Sequence, residues 1–137
     1  PGKLSLSRGE LIASVFLPAP APRSGDAYLR FIPRTEMDIA VVGAGVALTL
    51  DESGTITTAR VSLGAVAPTA LLVDACAQAI IGTTLDDAAQ ENLAAAASGA
   101  CSPIDDKRGT VKYRIKVAGV LARRAAVIAK ARAGETS

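Results

Sequence analysis

The sequence of 137 residues contains no histidine and no tryptophan, and only two phenylalanines and two tyrosines. The absence of histidine removes the usual general base near neutral pH and the commonest ligand of transition metals. The shortage of aromatic rings leaves little surface for stacking on bases or sugars. Since half of the residues are hydrophobic, the core must be built from alanine, valine, leucine and isoleucine.

Cysteine is scarce as well. Cys76 and Cys101 are too few and too far apart for a zinc or iron–sulfur pattern, so we predict no metal site. Both lie among small apolar residues, which favours buried free thiols and a reducing compartment. No apolar run reaches the roughly 20 residues that cross a bilayer, and no signal peptide opens the chain. We therefore expect a cytoplasmic protein without a membrane span.

Positive charge is concentrated near the C-terminus, where nine of the fifteen lysines and arginines lie between Lys107 and Arg132. A basic stretch of this kind can mark a nucleic-acid-binding surface. The solvated face of a helix is the commoner explanation, and we expect no nucleic-acid partner.

The first half of the sequence has the two-residue period of β-strands. We predict a strand over 11–17, ended by the prolines of the exposed loop 18–25, and an extended segment over 26–31. A hairpin follows, with strands over 39–50 and 56–63 joined by the turn Asp51-Glu52-Ser53-Gly54. In the first strand of this hairpin, Val42, Ala44, Val46, Leu48 and Leu50 share one face.

The second half has helical spacing. We predict a helix over 69–81, a second helix capped by Thr84 and reaching about Ser98, and a third capped by Thr110 and reaching about Ala131. The predicted apolar stripe of the last helix is Tyr113, Val117, Val120, Leu121, Ala125 and Ile128. The expected fold is a single α+β domain, with a three-stranded antiparallel sheet over about 10–67 followed by a three-helix bundle over about 69–132 that packs on one face.

No motif supports an independent active site, and no catalytic residue is predicted. Gly43-Ala44-Gly45 begins like a dinucleotide fingerprint, but the third glycine is missing and a strand follows instead of a helix. We expect these glycines to let a helix or loop pack closely on the sheet. Glu36 and Asp38 are two carboxylates in a charged connection, where solvation is a commoner state than catalysis. Residue chemistry alone thus leaves an α+β domain, with an interaction module as one interpretation of its role.

Four segments, in the order of the chain, resemble the C-terminal domain of the FAD-binding subunit of molybdenum hydroxylases, the xanthine dehydrogenase and carbon monoxide dehydrogenase family. They are Gly9-Glu10-Leu11-Ile12 running to Leu17-Pro18; Tyr28-Leu29-Arg30, Arg34 and Asp38-Ile39-Ala40; Gly54-Thr55-Ile56, Ala59-Arg60 and 63–68; and Asp106-Lys107-Arg108-Gly109, Tyr113-Arg114 and 120–125. Each motif is weak alone, but four in order over nearly the whole chain make the likeness specific.

The resemblance implies a part of an oxidoreductase that passes electrons from iron–sulfur clusters, reduced by a molybdenum centre, through FAD to an acceptor. It implies that Ile12 and Arg30 border the cofactor and that Arg34 and Asp38 belong to a charged loop beside the flavin. Upstream FAD-binding domains would grip the FAD, and iron–sulfur and molybdopterin subunits would be partners. The family often has lysine where this chain has Arg30, so Arg30 could instead pair with Glu36 or Asp38 at the surface.

Because the chain begins at Pro1, we expect a fragment of a longer FAD subunit that by itself does not hold FAD tightly. The competing hypothesis is an assembly module that binds no cofactor and docks through its basic last helix.

Overall fold

The computed structural model describes residues 3–34 and 38–135, which form an antiparallel sheet followed by three helices. The sheet has the strand order β1-β2-β3-β4. The elements in chain order are β1 (Ser24–Phe31), β2 (Val42–Leu50), β3 (Ile56–Gly64), β4 (Leu71–Leu72), α1 (Asp74–Gln78), α2 (Asp87–Gly99) and α3 (Val111–Glu135). The predicted α+β class is confirmed, with β4 as a small addition to the three long strands.

The β2–β3 hairpin is confirmed nearly to the residue, because its turn is stabilised locally. The Asp51 carboxylate accepts hydrogen bonds from the Ser53 hydroxyl at 2.7 Å and from the backbone N–H groups of Ser53 and Thr55, each at 2.9 Å. Gly54 has a φ of 82°, a conformation that glycine adopts without strain. These bonds, the Ser53 hydroxyl first, hold the pKa of Asp51 below its usual range.

Alternation along the strands gives the sheet one buried and one exposed face. The helices cover the inner face, with α3 against β1 and β2, and α1 against β3. The buried inner residues of the long strands are Ala27, Val42, Ala44, Val46, Leu48, Leu50, Ile56, Val61 and Leu63. The outer face carries the exposed side chains of Tyr28, Arg30, Ala47, Arg60 and Ser62, and we call this surface the open face of the sheet.

Small residues bring α3 very close to the sheet. Its buried residues are Arg114, Ala118, Gly119, Leu121, Ala122, Ala125, Ala126, Ala129 and Ala133. The predicted stripe is confirmed in part: Leu121 and Ala125 are buried, and Val117 and Ile128 pack against the core. Tyr113 is 43 % exposed, and alanines form most of the buried face instead. Helical spacing identifies large apolar residues, but where a helix lies this close to a sheet there is room mainly for alanine at the contact.

Two other predicted elements were wrong. Residues 11–17 form no strand; they are exposed and unpaired, and the edge of the sheet is formed by β1. Alternation is not sufficient for a strand, because a strand also needs a partner for its backbone groups. The predicted helix over 69–81 shrinks to α1, because Leu71 and Leu72 pair with β3 and the Val73 N–H donates to the Val61 carbonyl.

The N-terminal caps of the two longer helices are an aspartate and a threonine. Asp86 caps α2, since its carboxylate accepts from the Ala89 N–H at 2.9 Å, so the prediction of Thr84 as the cap was wrong. Thr110 caps α3 as predicted, with its hydroxyl 3.2 Å from the Tyr113 nitrogen. Asp accepts at least as well as Thr at this position, and only Asp86 directly precedes the first turn.

The two cysteines are free, as expected. Cys76 is fully buried and Cys101 is half-buried. Burial raises the pKa of Cys76 to about 11, so this thiol stays protonated at neutral pH. Among the described helices, none combines the length and the apolar character needed to cross a membrane.

Gly25 of β1 provides a test of the close contact with α3. A Cβ atom at this position would lie 2.3 Å from the Ala129 carbonyl oxygen and 2.5 Å from the Ala133 nitrogen. Because both atoms belong to the helix backbone, no rotamer change can relieve the clash. We expect Gly25→Ala to lower the free energy of unfolding by about 1–3 kcal/mol, as overpacking does elsewhere, in urea denaturation.

Gly64→Ala is the matched control, since a Cβ there meets no atom within 4 Å. We expect its effect to stay within about 0.5 kcal/mol. Equal effects of the two substitutions would contradict a close contact between α3 and β1.

Candidate functional site

Three of the four residues implied at a cofactor come together where β1 ends and β2 approaches. Arg30 lies on β1 opposite Gly43, and its guanidinium donates to the main-chain carbonyl of Asp38. Arg34 follows β1, with its Nε 3.5 Å from Oδ2 of Asp38. The fourth residue, Ile12, lies in the extended segment before β1 and is 69 % exposed. Glu36 lies outside the described residues.

Asp38 is the centre of this group, and its side chain is only 3 % exposed although it belongs to a loop. Its Oδ1 accepts from the Ile39 N–H at 2.8 Å and from Nε of Arg108 at 3.0 Å. These bonds, that of Arg108 first, hold the pKa of the Asp38 carboxyl below its usual range against the opposing effect of burial. Asp38 is therefore a carboxylate with compensated charge rather than a solvated one.

Arg108 extends the group into the loop before α3. Oδ1 of Asp106 accepts from the Arg108 N–H at 2.8 Å, and Nη1 of Arg108 lies 3.9 Å from Oδ2 of the same carboxylate. The Arg108 side chain, 31 % exposed, thus lies between Asp38 and Asp106. The Arg108 N–H and then the Arg114 guanidinium hold the pKa of Asp106 below its usual range.

Arg114 anchors the group in the core. It is 3 % exposed and donates to the Val41 carbonyl at 2.8 Å, to Asp106 at 2.6 Å and to the Gly109 carbonyl at 3.4 Å. These bonds join the start of β2, the loop before α3 and α3 itself. A buried guanidinium is stable only when it is paired in this way.

We call these six residues the arginine–aspartate network: Arg30, Arg34, Asp38, Asp106, Arg108 and Arg114. The sequence predicted only the first three as site residues. The segment Asp106-Lys107-Arg108-Gly109 did contribute to the family resemblance, but spacing alone gave no reason to join it to Asp38, from which Arg108 is 70 residues distant.

Tyr28 is a further exposed residue that the sequence did not single out. It is 64 % exposed on the open face, two residues before Arg30 on the same side of β1. A Cβ at Gly43 would lie 2.6 Å from the Tyr28 hydroxyl oxygen, and one at Gly45 would lie 2.7 Å from Oγ of Ser62. The two glycines therefore make room for side chains of neighbouring strands, not for a helix or loop as predicted.

The chemistry of the site is electrostatic. Within residues 3–34 and 38–135 there is no group of three His, Cys, Asp or Glu residues that could hold a metal ion. The site offers instead two exposed arginines, Arg30 and Arg34, and the exposed Tyr28 two residues before Arg30 on the same strand. Such a surface can orient and stabilise an anionic, planar group.

Comparison with known proteins agrees with this architecture. Residues 27–129 match the family described as the CO dehydrogenase flavoprotein C-terminal domain. The chain is 37 % identical over 129 residues to the carbon monoxide dehydrogenase medium chain of Afipia carboxidovorans, covering 94 % of this chain and 44 % of that protein. It is 32 % identical over 135 residues to the 6-hydroxypseudooxynicotine dehydrogenase complex subunit alpha of Paenarthrobacter nicotinovorans, covering 96 % of this chain and 44 % of that protein.

A solved structure of reconstituted CO dehydrogenase from Oligotropha carboxidovorans superimposes with a TM-score of 0.80 at 36 % identity, over 85 % of this chain and 40 % of that one. The chain thus spans less than half the length of these relatives. The family match covers most of the chain, from β1 to the last turns of α3. The chain therefore belongs to the family of CO dehydrogenase flavoprotein C-terminal domains.

Proposed function

We propose that this domain forms one wall of the FAD site in the flavin-carrying subunit of a molybdenum-hydroxylase-type oxidoreductase. The observation that carries the proposal is the exposed guanidinium of Arg30, which a hydrogen bond to the Asp38 carbonyl orients on the open face of the sheet. The relatives support it, since one of them is the medium chain of a carbon monoxide dehydrogenase and the family is one of flavoproteins.

The residues present fit one side of a flavin and not the whole cofactor. A cation at Arg30 suits the electron-rich edge of the ring system, and the exposed side chains of Tyr28 and Ile12 suit its apolar face. Gly43-Ala44-Gly45 lies within β2, so it does not form the helix N-terminus that cradles a pyrophosphate. FAD-binding domains upstream would bind the pyrophosphate, and bound FAD would supply the transfer of electrons.

The exposed charges of the network make this wall positive. Arg30 and Arg34 are the exposed positive groups, whereas the negative charge of Asp38 is compensated by Arg108. A cation beside the ring stabilises the anionic reduced flavin more than the oxidised one, and so raises the reduction potential. Ile12 would exclude water, and Asp38 would act by holding the two arginines.

Exposed apolar residues support contact with upstream FAD-binding domains. The large apolar side chains within residues 11–17 are 69–86 % exposed, and they are Leu11, Ile12, Val15, Phe16 and Leu17. Contiguous apolar surface of this kind is typical of an interface. We therefore place this segment and the open face against the rest of the flavin subunit, with iron–sulfur and molybdopterin subunits as further partners of the complex.

Replacement of Arg30 tests the assignment directly. In the intact flavin subunit, we expect Arg30→Ala to lower the reduction potential of FAD by roughly 30 mV, which for a two-electron couple is about 1.4 kcal/mol of lost stabilisation of the reduced form. FAD content after purification should also fall. Potentiometric titration and flavin absorbance measure the two effects.

Two variants control this experiment. Arg30→Lys keeps the charge and should recover most of the potential, and Arg60→Ala removes an exposed arginine from β3 on the same open face. We expect Arg60→Ala to leave the potential unchanged. The assignment fails if Arg30→Ala leaves both the FAD content and the potential as they were.

The cofactor content of the chain itself is a second test. Because the described residues contain no pyrophosphate cradle, we expect the purified 137-residue chain to lack visible flavin absorbance. Addition of free FAD followed by desalting should leave it colourless. A yellow chain with stoichiometric FAD would show that the upstream domains are not needed to bind FAD.

The alternative is an assembly module that binds no cofactor, and the exposed side of α3 favours it. Lys112, Lys116 and Arg123 are exposed and lie at helical spacing opposite the alanine face, so they form a basic stripe. Such a stripe suits an acidic partner surface, such as that of an iron–sulfur subunit. Arg114 is not part of the stripe because it is buried.

Charge reversal tests this alternative. We expect Lys112→Glu with Lys116→Glu to weaken binding of the iron–sulfur subunit about tenfold, with an effect that shrinks at high salt. Lys3→Glu with Arg8→Glu, two exposed positions before β1, is the matched control. Equal binding of both double variants in a titration at low salt would exclude the stripe as the docking surface.

A further inference from the structure

We infer that Arg108 is a positioning residue for Arg30, and that the loop before α3 thereby sets the charge that this domain presents to the flavin. This inference rests on the proposed function and extends it to a residue outside the sheet, in the loop before α3. It starts from one contact, the 3.0 Å hydrogen bond from Nε of Arg108 to Oδ1 of Asp38.

Asp38 carries the coupling because its two ends do different things. Its main-chain carbonyl accepts a hydrogen bond from the Arg30 guanidinium, and its carboxylate is buried against Arg108. The second cation at this carboxylate, Arg34, is 70 % exposed and 3.5 Å away, so it is a weaker tether. Without Arg108, the carboxylate would be buried with too little compensation and would turn to solvent, moving the carbonyl that orients Arg30.

Arg108 is itself held in place from the core. Asp106 accepts from the Arg108 N–H and, through the same oxygen, from the buried Arg114. Arg114 donates in turn to the Val41 carbonyl at the start of β2. Both sides of the Asp38 contact are therefore tied to the framework, which makes the orientation of Arg30 a property of the folded domain and not of a free surface side chain.

The position of Arg30 can be observed apart from any effect on FAD. In the intact flavin subunit labelled with ¹⁵N-arginine, the Nε–H signal of Arg30 is identified by its loss in Arg30→Lys. We expect Arg108→Ala to shift and narrow this signal toward that of a freely rotating arginine. Arg108→Gln, which keeps more of the half-buried side chain, serves if Arg108→Ala does not fold.

The reduction potential gives the functional readout. We expect Arg108→Gln to shift the FAD potential in the same direction as Arg30→Ala and by less, and Arg108→Lys to recover part of the shift. In the Arg30→Ala background, Arg108→Gln should add no further shift, since its effect acts through Arg30. Lys107→Gln removes a neighbouring exposed charge and should change neither the signal nor the potential.

The outcomes separate the two proposals. An unchanged Arg30 signal in both Arg108 variants overturns the positioning role, whatever the potentials are. Additive shifts in the double variant also overturn it, because they show that Arg108 acts by its own charge. A shifted Arg30 signal in the Arg108 variants, together with an unchanged potential in Arg30→Ala, overturns the proposed flavin contact, while the coupling from Arg108 to Arg30 remains.

Discussion

The close approach of α3 to β1 and β2 is the constraint on which the rest of the structure depends. The helix buries almost only alanine and glycine, and its backbone comes within reach of a hypothetical Cβ at Gly25. Dispersion and exclusion of water are strong at such short range, although most of the buried residues of α3 are alanines. Since the helices occupy the inner face, the outer face of the sheet is left open, and this determines where a functional surface can be.

The same close approach explains why a buried arginine can lie in an alanine face. Arg114 is the first buried residue of α3, on the same face as the alanines that follow it. Its guanidinium is bonded to the start of β2 and to the loop before the helix. Isolated, this charge would be costly to bury; with Asp106 beside it, the cost is offset by three directed hydrogen bonds. The packing contact thus also fixes the polar network.

Much of the fold follows from the sequence wherever the determining interactions are local. The β2–β3 hairpin depends on Asp51 and Gly54 in its own turn, and the start of α3 depends on Thr110, so both were predictable. The segment 11–17 has the pattern of a strand but no partner strand, and a pattern cannot show this. Likewise, the buried face of α3 depends on the shape of the sheet that it meets, so spacing alone predicted only part of it: Leu121 and Ala125 are buried, whereas Tyr113 is exposed.

The candidate site shows the same division, since Arg30, Arg34 and Asp38 were found by resemblance and Arg108 and Arg114 were not. The latter contact residues 70 and 73 positions away, a relation that no local rule contains. Yet the motifs that include Tyr28-Leu29-Arg30, Asp38-Ile39-Ala40 and 106–114 are those that identify the family, and in the structure they meet in one network. This suggests a reason for their joint occurrence: a cation on an open sheet face keeps a defined orientation only if the carbonyl that receives it is anchored, and here the anchor comes from the far end of the chain.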